Sequence, residues 1–156
     1  MSVWRVEDTH GMRLALEEAH TAATEDEVPV GAVLMRGSLV LARGRNRTRA
    51  DADPRRHAEA VCLDAAAAAG LLGVEGGLAG TTLYITLEPC AMCAGAVVLA
   101  RVPRVVYGAW DPKAGMAGSL HDLLRHPRLN HHAEVVPGVM EPECAELLRG
   151  FFAAKR

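Results

Sequence analysis

The sequence lacks any apolar run near the roughly 18 to 20 residues of a membrane span, and its first residues include Arg5, Glu7 and Asp8 where a signal peptide would need an apolar segment. We therefore expect a cytoplasmic protein with no membrane segment. In that compartment the four cysteines should stay reduced, and Cys62 and Cys144, which lie in apolar or helical patterns, should be small core residues. With 50% hydrophobic residues, the 156 residues are expected to form a single domain.

The chain also lacks an excess of positive charge, since its formal net charge at pH 7 is −2, which alone argues weakly against nucleic-acid binding. Its arginines are nevertheless clustered. Arg43, Arg45, Arg47 and Arg49 alternate with other residues, so in an extended segment they would project from one side. This pattern is typical of a charged strand edge that resists aggregation or of a stripe that faces phosphate. We favour the phosphate-facing stripe, because the arginine-rich segment ends beside His57.

One segment, Tyr84–Ala96, combines a predicted buried strand, a proline and two thiols at the spacing of metal ligands, Cys90 and Cys93. Two cysteines three positions apart lie on one face of a helix's first turn, where the helix dipole favours thiolates. A Cys-x-x-Cys alone serves disulfide exchange and structural zinc as readily as a catalytic metal. The interpretation depends on what completes the coordination, and the best candidate is His57, with Glu59 two residues after it.

The hydrophobic periodicity indicates an alternating order of helices and strands. The predicted elements are a helix at 7–24, an antiparallel pair of strands at 31–35 and 39–42, a helix that ends near 70, a strand at 82–87, a helix at 90–101, strands at 104–108 and 134–136, and a helix at 141–152. In the second helix, Asp53 is expected as the N-cap, with Pro54 in the first turn. Strand, helix and strand in succession imply a parallel crossover and a sheet covered on both faces, with the site at its carboxyl edge.

Taken together, His57-x-Glu59 and Pro89-Cys90-x-x-Cys93 match the signature of zinc-dependent nucleobase deaminases. Over nearly its full length the chain resembles the bacterial tRNA-specific adenosine deaminases, of the cytidine-deaminase-like superfamily. Besides the metal motifs, the resemblance rests on these segments: Glu27–Ala32, Asn46, Tyr107–Leu120, Leu129–His131 and Glu143–Phe152. It implies an α/β fold, a three-layer α/β/α sandwich around a central five-stranded mixed sheet.

The resemblance also implies the chemistry. One zinc ion per chain would be held by His57, Cys90 and Cys93, with a water molecule in the remaining position. Glu59 would transfer protons while adenosine at tRNA wobble position 34 is hydrolysed to inosine. The family further implies a homodimer whose site is completed across the interface. Spacing alone does not bring Glu59 beside His57, because residues two apart on a helix diverge by about 200°.

Contacts to the RNA follow from the same resemblance. Asn46 is expected to hydrogen-bond the extruded base, and Asp111 to lie near the ribose 2′-hydroxyl, the group that separates RNA from DNA. Lys113, Arg45 and Arg47 are expected to contact phosphate.

Phe152, Lys155 and Arg156 resemble the family's aromatic and basic C-terminal edge. The chain departs from the family in having Asp53–Arg56 before the histidine, Trp110 where a basic residue is common, and little basic tail.

Two other functions remain open at this point. A metabolic deaminase for free guanine or cytosine shares the zinc site but would need a closed pocket. A noncatalytic RNA-binding partner subunit shares the fold, but it would be expected to lack the glutamate that this chain has at Glu59.

Overall fold

The computed structural model of the chain describes residues 4–156. Its elements follow in this order: α1 (Val6–Thr24), β1 (Gly31–Arg36), β2 (Leu39–Arg45), α2 (Ala58–Ala68), β3 (Thr81–Leu87), α3 (Ala91–Ala100), β4 (Arg104–Ala109), β5 (Glu134–Val136) and α4 (Glu141–Ala154). Each predicted helix and strand is found, and the largest displacement lies at the start of α2. Within residues 4–156, no helix is both long and apolar enough to cross a membrane.

The strands form one mixed sheet in the order β2-β1-β3-β4-β5. Strand β1 pairs antiparallel with β2 and with β3, whereas β3 with β4 and β4 with β5 are parallel. Strands β2, β3 and β4 therefore run in one direction, and their carboxyl ends meet at the same edge. The predicted five-stranded mixed sheet is confirmed.

Helices cover both faces of the sheet, as the long buried runs of β3 and β4 require. Helices α2 and α3 pack together on one face, whereas α1 and α4 pack on the other. The core accordingly divides into two apolar clusters, one containing Cys62 and the other Cys144. Both cysteines are buried, as predicted from their apolar surroundings.

Two glycines let the helices approach the β1–β2 hairpin closely. A Cβ atom at Gly31 would lie 2.0 Å from the carbonyl oxygen of Ala15, and one at Gly44 would lie 2.4 Å from that of Ala58. No side chain fits at such distances, so α1 and α2 rest directly on strand backbone. The contact at Ala58 fixes the height of the first turn of α2 above the sheet.

The start of α2 differs from the prediction. The helix begins at Ala58, and His57 is its N-cap, with an extended backbone (φ −71°, ψ 159°). The expected cap, Asp53, lies in a turn before the helix, where its carboxylate accepts hydrogen bonds from the backbone N–H and the guanidinium of Arg55. An aspartate that closes such a local turn competes with helix initiation, so the prediction of a cap at Asp53 was wrong.

Candidate active site

Three side chains converge at the carboxyl edge of the sheet. The Nδ1 atom of His57 lies 3.5 Å from the Sγ atom of Cys90 and 3.6 Å from that of Cys93. The three potential ligand atoms all lie within 4.8 Å of one another. Cys90 is the N-cap of α3, and Cys93 lies in its first turn. The structure thus brings together the three residues predicted as metal ligands.

The convergence follows from the strand directions. β3 ends at Leu87, and Pro89, which cannot donate to a strand ladder, separates it from α3. Chain segments that leave β2, β3 and β4 at the same edge carry Asn46, Cys90 and Asp111 respectively. Residues far apart in the chain therefore meet there, as expected for sites in α/β sheets.

Glu59 lies beside this cluster, at the second residue of α2, with only 4% of its surface exposed. Since His57 is an extended N-cap and not a helical residue, the angular divergence expected of two helical positions does not apply. His57 and Glu59 line the same cavity of about 250 Å³, whose walls also include Asn46, Glu88 and Asp111.

Burial and close contact shift the acidities in the cluster. Burial raises the pKa of Glu59 to about 7. Hydrogen bonds from Cys93 and His57 lower the pKa of Cys90 to about 3, whereas the bond to Cys90 raises the pKa of Cys93. The same Cys90 thiolate raises the pKa of His57. A divalent cation bound between the two sulfurs would stabilise both groups as thiolates.

The donor set of His57, Cys90 and Cys93 fits zinc. One imidazole nitrogen and two sulfurs are ligands that zinc accepts, and three protein ligands are the number that catalytic zinc sites use. These donors lie at the starts of two helices, where backbone N–H groups further favour thiolates. The cluster is therefore compatible with a zinc site.

Asn46 and Asp111 line the cavity from two different loops, the one after β2 and the one after β4. Asn46 is buried, and its side-chain oxygen accepts a hydrogen bond from the backbone N–H of Thr48 at 3.4 Å. The Oδ1 atom of Asp111 accepts from the backbone N–H groups of Lys113 and Ala114, at 3.1 and 3.2 Å. Lys113 itself is exposed.

The arginine stripe is not extended as predicted. Strand β2 ends at Arg45, and residues 48–52 form turns, so the chain is not extended as far as Arg49. Arg45 pairs with Glu18 and Glu25, at 3.2 and 2.8 Å, and Arg47 pairs with Asp51 at 3.1 Å. The other members of the cluster are also paired, namely Arg43 with Glu17 and Glu18, Arg49 with Asp26, Arg55 with Asp53, and Arg56 with Asp51 and Asp64. The expectation of an extended segment from Arg43 to Arg49 was wrong, because the chain turns after β2, and contact of these arginines with phosphate stays a prediction.

The residues of the C-terminal edge, Phe152, Lys155 and Arg156, are not among those that line the cavity. Phe152 is half exposed and packs edge-on against Phe151, with 5.5 Å between the ring centroids. Lys155 lies 5.2 Å from the centroid of the Phe151 ring and pairs with Asp26 in the turn after α1.

Glu88, which the sequence patterns did not indicate, lines the cavity between β3 and Cys90 and is 2% exposed. Its carboxylate accepts hydrogen bonds from the backbone N–H groups of Asp111, Ala117 and Ser119 and from the Ser119 hydroxyl. A charged residue directly after a buried strand and next to Pro89 was the one signal available in the sequence.

Comparison with known proteins gives consistent matches. The chain matches the MafB19-like deaminase family over residues 6–156. It is 49% identical to a tRNA-specific adenosine deaminase of Bacillus subtilis (strain 168) over 145 residues, 93% of this chain and 88% of that protein. It is 48% identical to a tRNA-specific adenosine deaminase of Agrobacterium fabrum over 150 residues, 96% of this chain and 97% of that protein.

Solved structures agree with these matches. One, from a study of A-to-I editing by tRNA:A34 deaminases at the wobble position of transfer RNA, has a TM-score of 0.82 at 45% identity, covering 90% of this chain and 99% of that one. A structure of the guanine deaminase from Nitrosomonas europaea has a TM-score of 0.80 at 23% identity, covering 98% and 87%, which shows a shared fold alone.

Proposed function

This chain belongs to the family of tRNA-specific adenosine deaminases, and we propose that it hydrolyses the wobble adenosine at position 34 of a tRNA anticodon to inosine, releasing ammonia. The single observation that carries the proposal is the convergence of His57, Cys90 and Cys93 beside the buried Glu59 in one cavity. The two relatives at 49% and 48% identity support the tRNA substrate.

His57 Nδ1 and the sulfurs of Cys90 and Cys93 would hold one zinc ion per chain. When bound, zinc lowers the pKa of a water molecule enough to make it a nucleophile near neutral pH. The remaining residues of the cavity would act on the base and its protons.

Glu59 would move the protons. Its carboxylate is placed in the cavity wall, where it would accept a proton from the attacking water and return protons to N1 of adenine and to the departing amine. The oxygen of water adds to C6 as N1 takes up a proton, and the bond from C6 to the amino nitrogen then breaks as that nitrogen accepts a second proton and leaves as ammonia. Burial supports this role, because a carboxyl group shielded from water exchanges protons closer to neutral pH.

Asn46 and Asp111 would recognise the nucleotide. The Asn46 amide carries both a donor and an acceptor and lies in the cavity wall, so it would pair with an edge of the extruded base. Asp111 lines the same cavity from the other loop, where its carboxylate would accept a hydrogen bond from the ribose 2′-hydroxyl.

Lys113, Arg45 and Arg47 would contact phosphates. Ion pairs near the surface contribute little stability, so an RNA phosphate could replace the carboxylates that now pair with the two arginines. Phe152 would add an exposed ring at the C-terminal edge. A tRNA substrate implies that the enzyme acts in the cytoplasm.

We further propose a homodimer that packs through one face of α3. Met92, Gly95, Ala96 and Leu99 recur at helical spacing and are exposed or partly exposed, Leu99 at 86%. Such an apolar face favours burial against a second copy. Light scattering of the wild-type protein and of Leu99→Glu would test this, with a monomeric mass expected only for the variant.

The test of the function is incubation of the zinc-loaded protein with total tRNA, followed by sequencing for inosine. We expect inosine at position 34, with free adenosine and free guanine turned over far more slowly. Equal turnover of free adenosine and an anticodon stem-loop would overturn the tRNA assignment and favour a deaminase of free bases or nucleosides.

A further inference from the structure

We infer that Glu88 is a positioning residue, whose buried carboxylate holds the 110–119 loop against the cavity and so fixes Asp111 for substrate binding. The inference rests on the proposed function for the identity of the substrate. The holding of the loop itself is independent of any substrate and can be measured without one.

The Glu88 carboxylate accepts four hydrogen bonds, all from this one loop. Oε1 accepts from the backbone N–H of Asp111 at 3.0 Å and from the Ser119 hydroxyl. Oε2 accepts from the backbone N–H groups of Ala117 and Ser119, at 3.0 and 2.9 Å. An ionised carboxylate has about four acceptor sites, so the loop uses its whole capacity. Shielded from water, these charge-assisted bonds are stronger than neutral ones.

The loop packs closely around Glu88. A Cβ atom at Gly115 would lie 2.3 Å from the Glu88 carboxyl group, so no larger residue fits there without displacing it. The backbone N–H of Met116 also donates to the carbonyl oxygen of Pro89 at 2.8 Å. The short segment from Glu88 to Cys90 thus holds the loop that carries Asp111 and supplies a sulfur of the metal cluster.

Asp8 offers a matched control. It is a second buried carboxylate with several donors, which are the backbone N–H of Arg5, the Tyr84 hydroxyl and the guanidinium of Arg104. It belongs to α1, on the sheet face that carries the other core cluster, and it does not line the cavity. Asp8→Asn therefore disturbs a comparable buried network without touching the loop.

Glu88→Gln tests the inference because it keeps the volume and turns one acceptor into a donor. An amide nitrogen in the place of Oε2 would face two backbone N–H groups. In the place of Oε1, the amide nitrogen would face the Ser119 hydroxyl and the backbone N–H of Asp111. The hydroxyl can accept a hydrogen bond from the amide, whereas the N–H group of Asp111 cannot. The second orientation costs less, so the Asp111 amide should be the group that loses its acceptor.

The experiment compares full-length, zinc-loaded wild type, Glu88→Gln and Asp8→Asn. For each we would measure zinc content, amide hydrogen exchange by NMR, and kcat and KM on an anticodon stem-loop. In Glu88→Gln we expect zinc to be retained, the Asp111 amide to exchange at least about tenfold faster, and KM to rise more than kcat falls. In Asp8→Asn we expect a lower melting temperature with unchanged KM and unchanged exchange at Asp111.

Unchanged exchange at Asp111 in Glu88→Gln would overturn the inference, and so would an equal rise of KM in both variants. If wild type deaminates no stem-loop, the proposed function fails, whereas faster exchange at Asp111 in Glu88→Gln still supports the holding of the loop. Should Glu88→Gln not fold, Ser119→Ala removes only one of the four donors and should give a smaller change in the same direction.

Discussion

The Nδ1 atom of His57 lies 3.5 Å from the Sγ atom of Cys90, although 33 positions separate the two residues in the chain. Each is the N-cap of its own helix, so both side chains leave the backbone where it is still extended. The two helix starts hold them at one sheet edge. A donor pair that the fold brings together in this way predicts specific responses to substitution.

Cys90→Ala should remove both zinc and deamination. Purified wild type is expected to hold about one zinc per chain, and loss of one of three protein ligands should release it. Metal analysis by mass spectrometry gives the stoichiometry. Cys62→Ala is the matched control, because Cys62 is buried in the core among apolar residues and should leave the zinc content unchanged. Stoichiometric zinc in Cys90→Ala would contradict the ligand assignment.

Glu59→Gln should separate chemistry from binding. Since Glu59 is proposed to transfer protons and not to bind zinc, the variant should keep its metal and bind the stem-loop while kcat falls by roughly 10² to 10⁴. Single-turnover kinetics measures the loss of the chemical step, and metal analysis of the same preparation shows whether zinc is retained. A variant that loses its zinc would mean that the glutamate is a ligand.

Much of this site could be predicted from the sequence, because the ligand types and their spacing are local. His57, Cys90 and Cys93 stood out as donors, and the strand pattern put them at one edge. Glu88 did not stand out, because the groups that bond to its carboxylate lie 23 to 31 positions further along the chain. Only the fold brings them together.

The extended conformation predicted for the arginine cluster was wrong for a related reason. The alternation from Arg43 to Arg49 predicted one face only if the chain stayed extended, and it turns after Arg45. Asp53 was wrongly predicted as a helix cap. An aspartate side chain can accept a hydrogen bond from a nearby backbone N–H within a turn as readily as at the start of a helix. Local patterns predict an element well and its first residue poorly.

Stability at acid pH should depend on Asp8. Burial raises its pKa, but hydrogen bonds from Arg104, Arg5 and Tyr84 outweigh burial and hold the pKa of Asp8 below its ordinary value of 3.8. A depressed folded-state pKa stabilises the fold fully above the unfolded pKa, and that stabilisation is lost as pH falls from about 4 through the folded pKa.

Asp8→Asn should therefore unfold more easily at pH 7, by roughly 1 to 3 kcal/mol, because the buried Arg104 loses the carboxylate that it contacts at 2.6 Å and keeps its pair with the partly exposed Glu134. The difference between wild type and variant should shrink below about pH 4. Urea unfolding of both proteins from pH 7 to below pH 4 measures the difference in the free energy of unfolding. Release of zinc in acid affects both proteins alike. A constant difference at all pH values would show that the carboxylate does not titrate with folding.

Arg45→Ala and Arg47→Ala should weaken binding of all RNA substrates alike. Each lost phosphate contact should reduce the slope of log binding constant against log salt by about one. Arg5→Ala is the control, because Arg5 is also paired with a glutamate but contacts Glu134 at the start of β5, at the sheet edge opposite the cavity. Salt titrations of stem-loop binding show whether Arg45 and Arg47 contact phosphate. An unchanged slope in both variants would mean that these arginines only support the β2 edge.

Asp111 should determine the preference for ribose over deoxyribose at the target nucleotide. Replacing only nucleotide 34 of a stem-loop by its deoxy form should reduce kcat/KM in wild type by about tenfold or more, since a hydrogen bond to the partly buried Asp111 carboxylate is lost. Asp111→Asn should lower the ratio of kcat/KM for the ribo substrate to kcat/KM for the deoxy substrate. A neutral amide that lacks its hydroxyl partner costs less free energy than a carboxylate that lacks it. The variant keeps an oxygen that can accept from the backbone N–H groups of Lys113 and Ala114, so the turn should persist.

Lys113→Ala, by contrast, should lower turnover of the ribo and deoxy substrates equally, because a phosphate contact does not depend on the sugar. Kinetics on the paired substrates distinguish the two residues: an unchanged ribo/deoxy ratio in Asp111→Asn would refute the sugar-reading role and leave Asp111 as a residue that only shapes its loop.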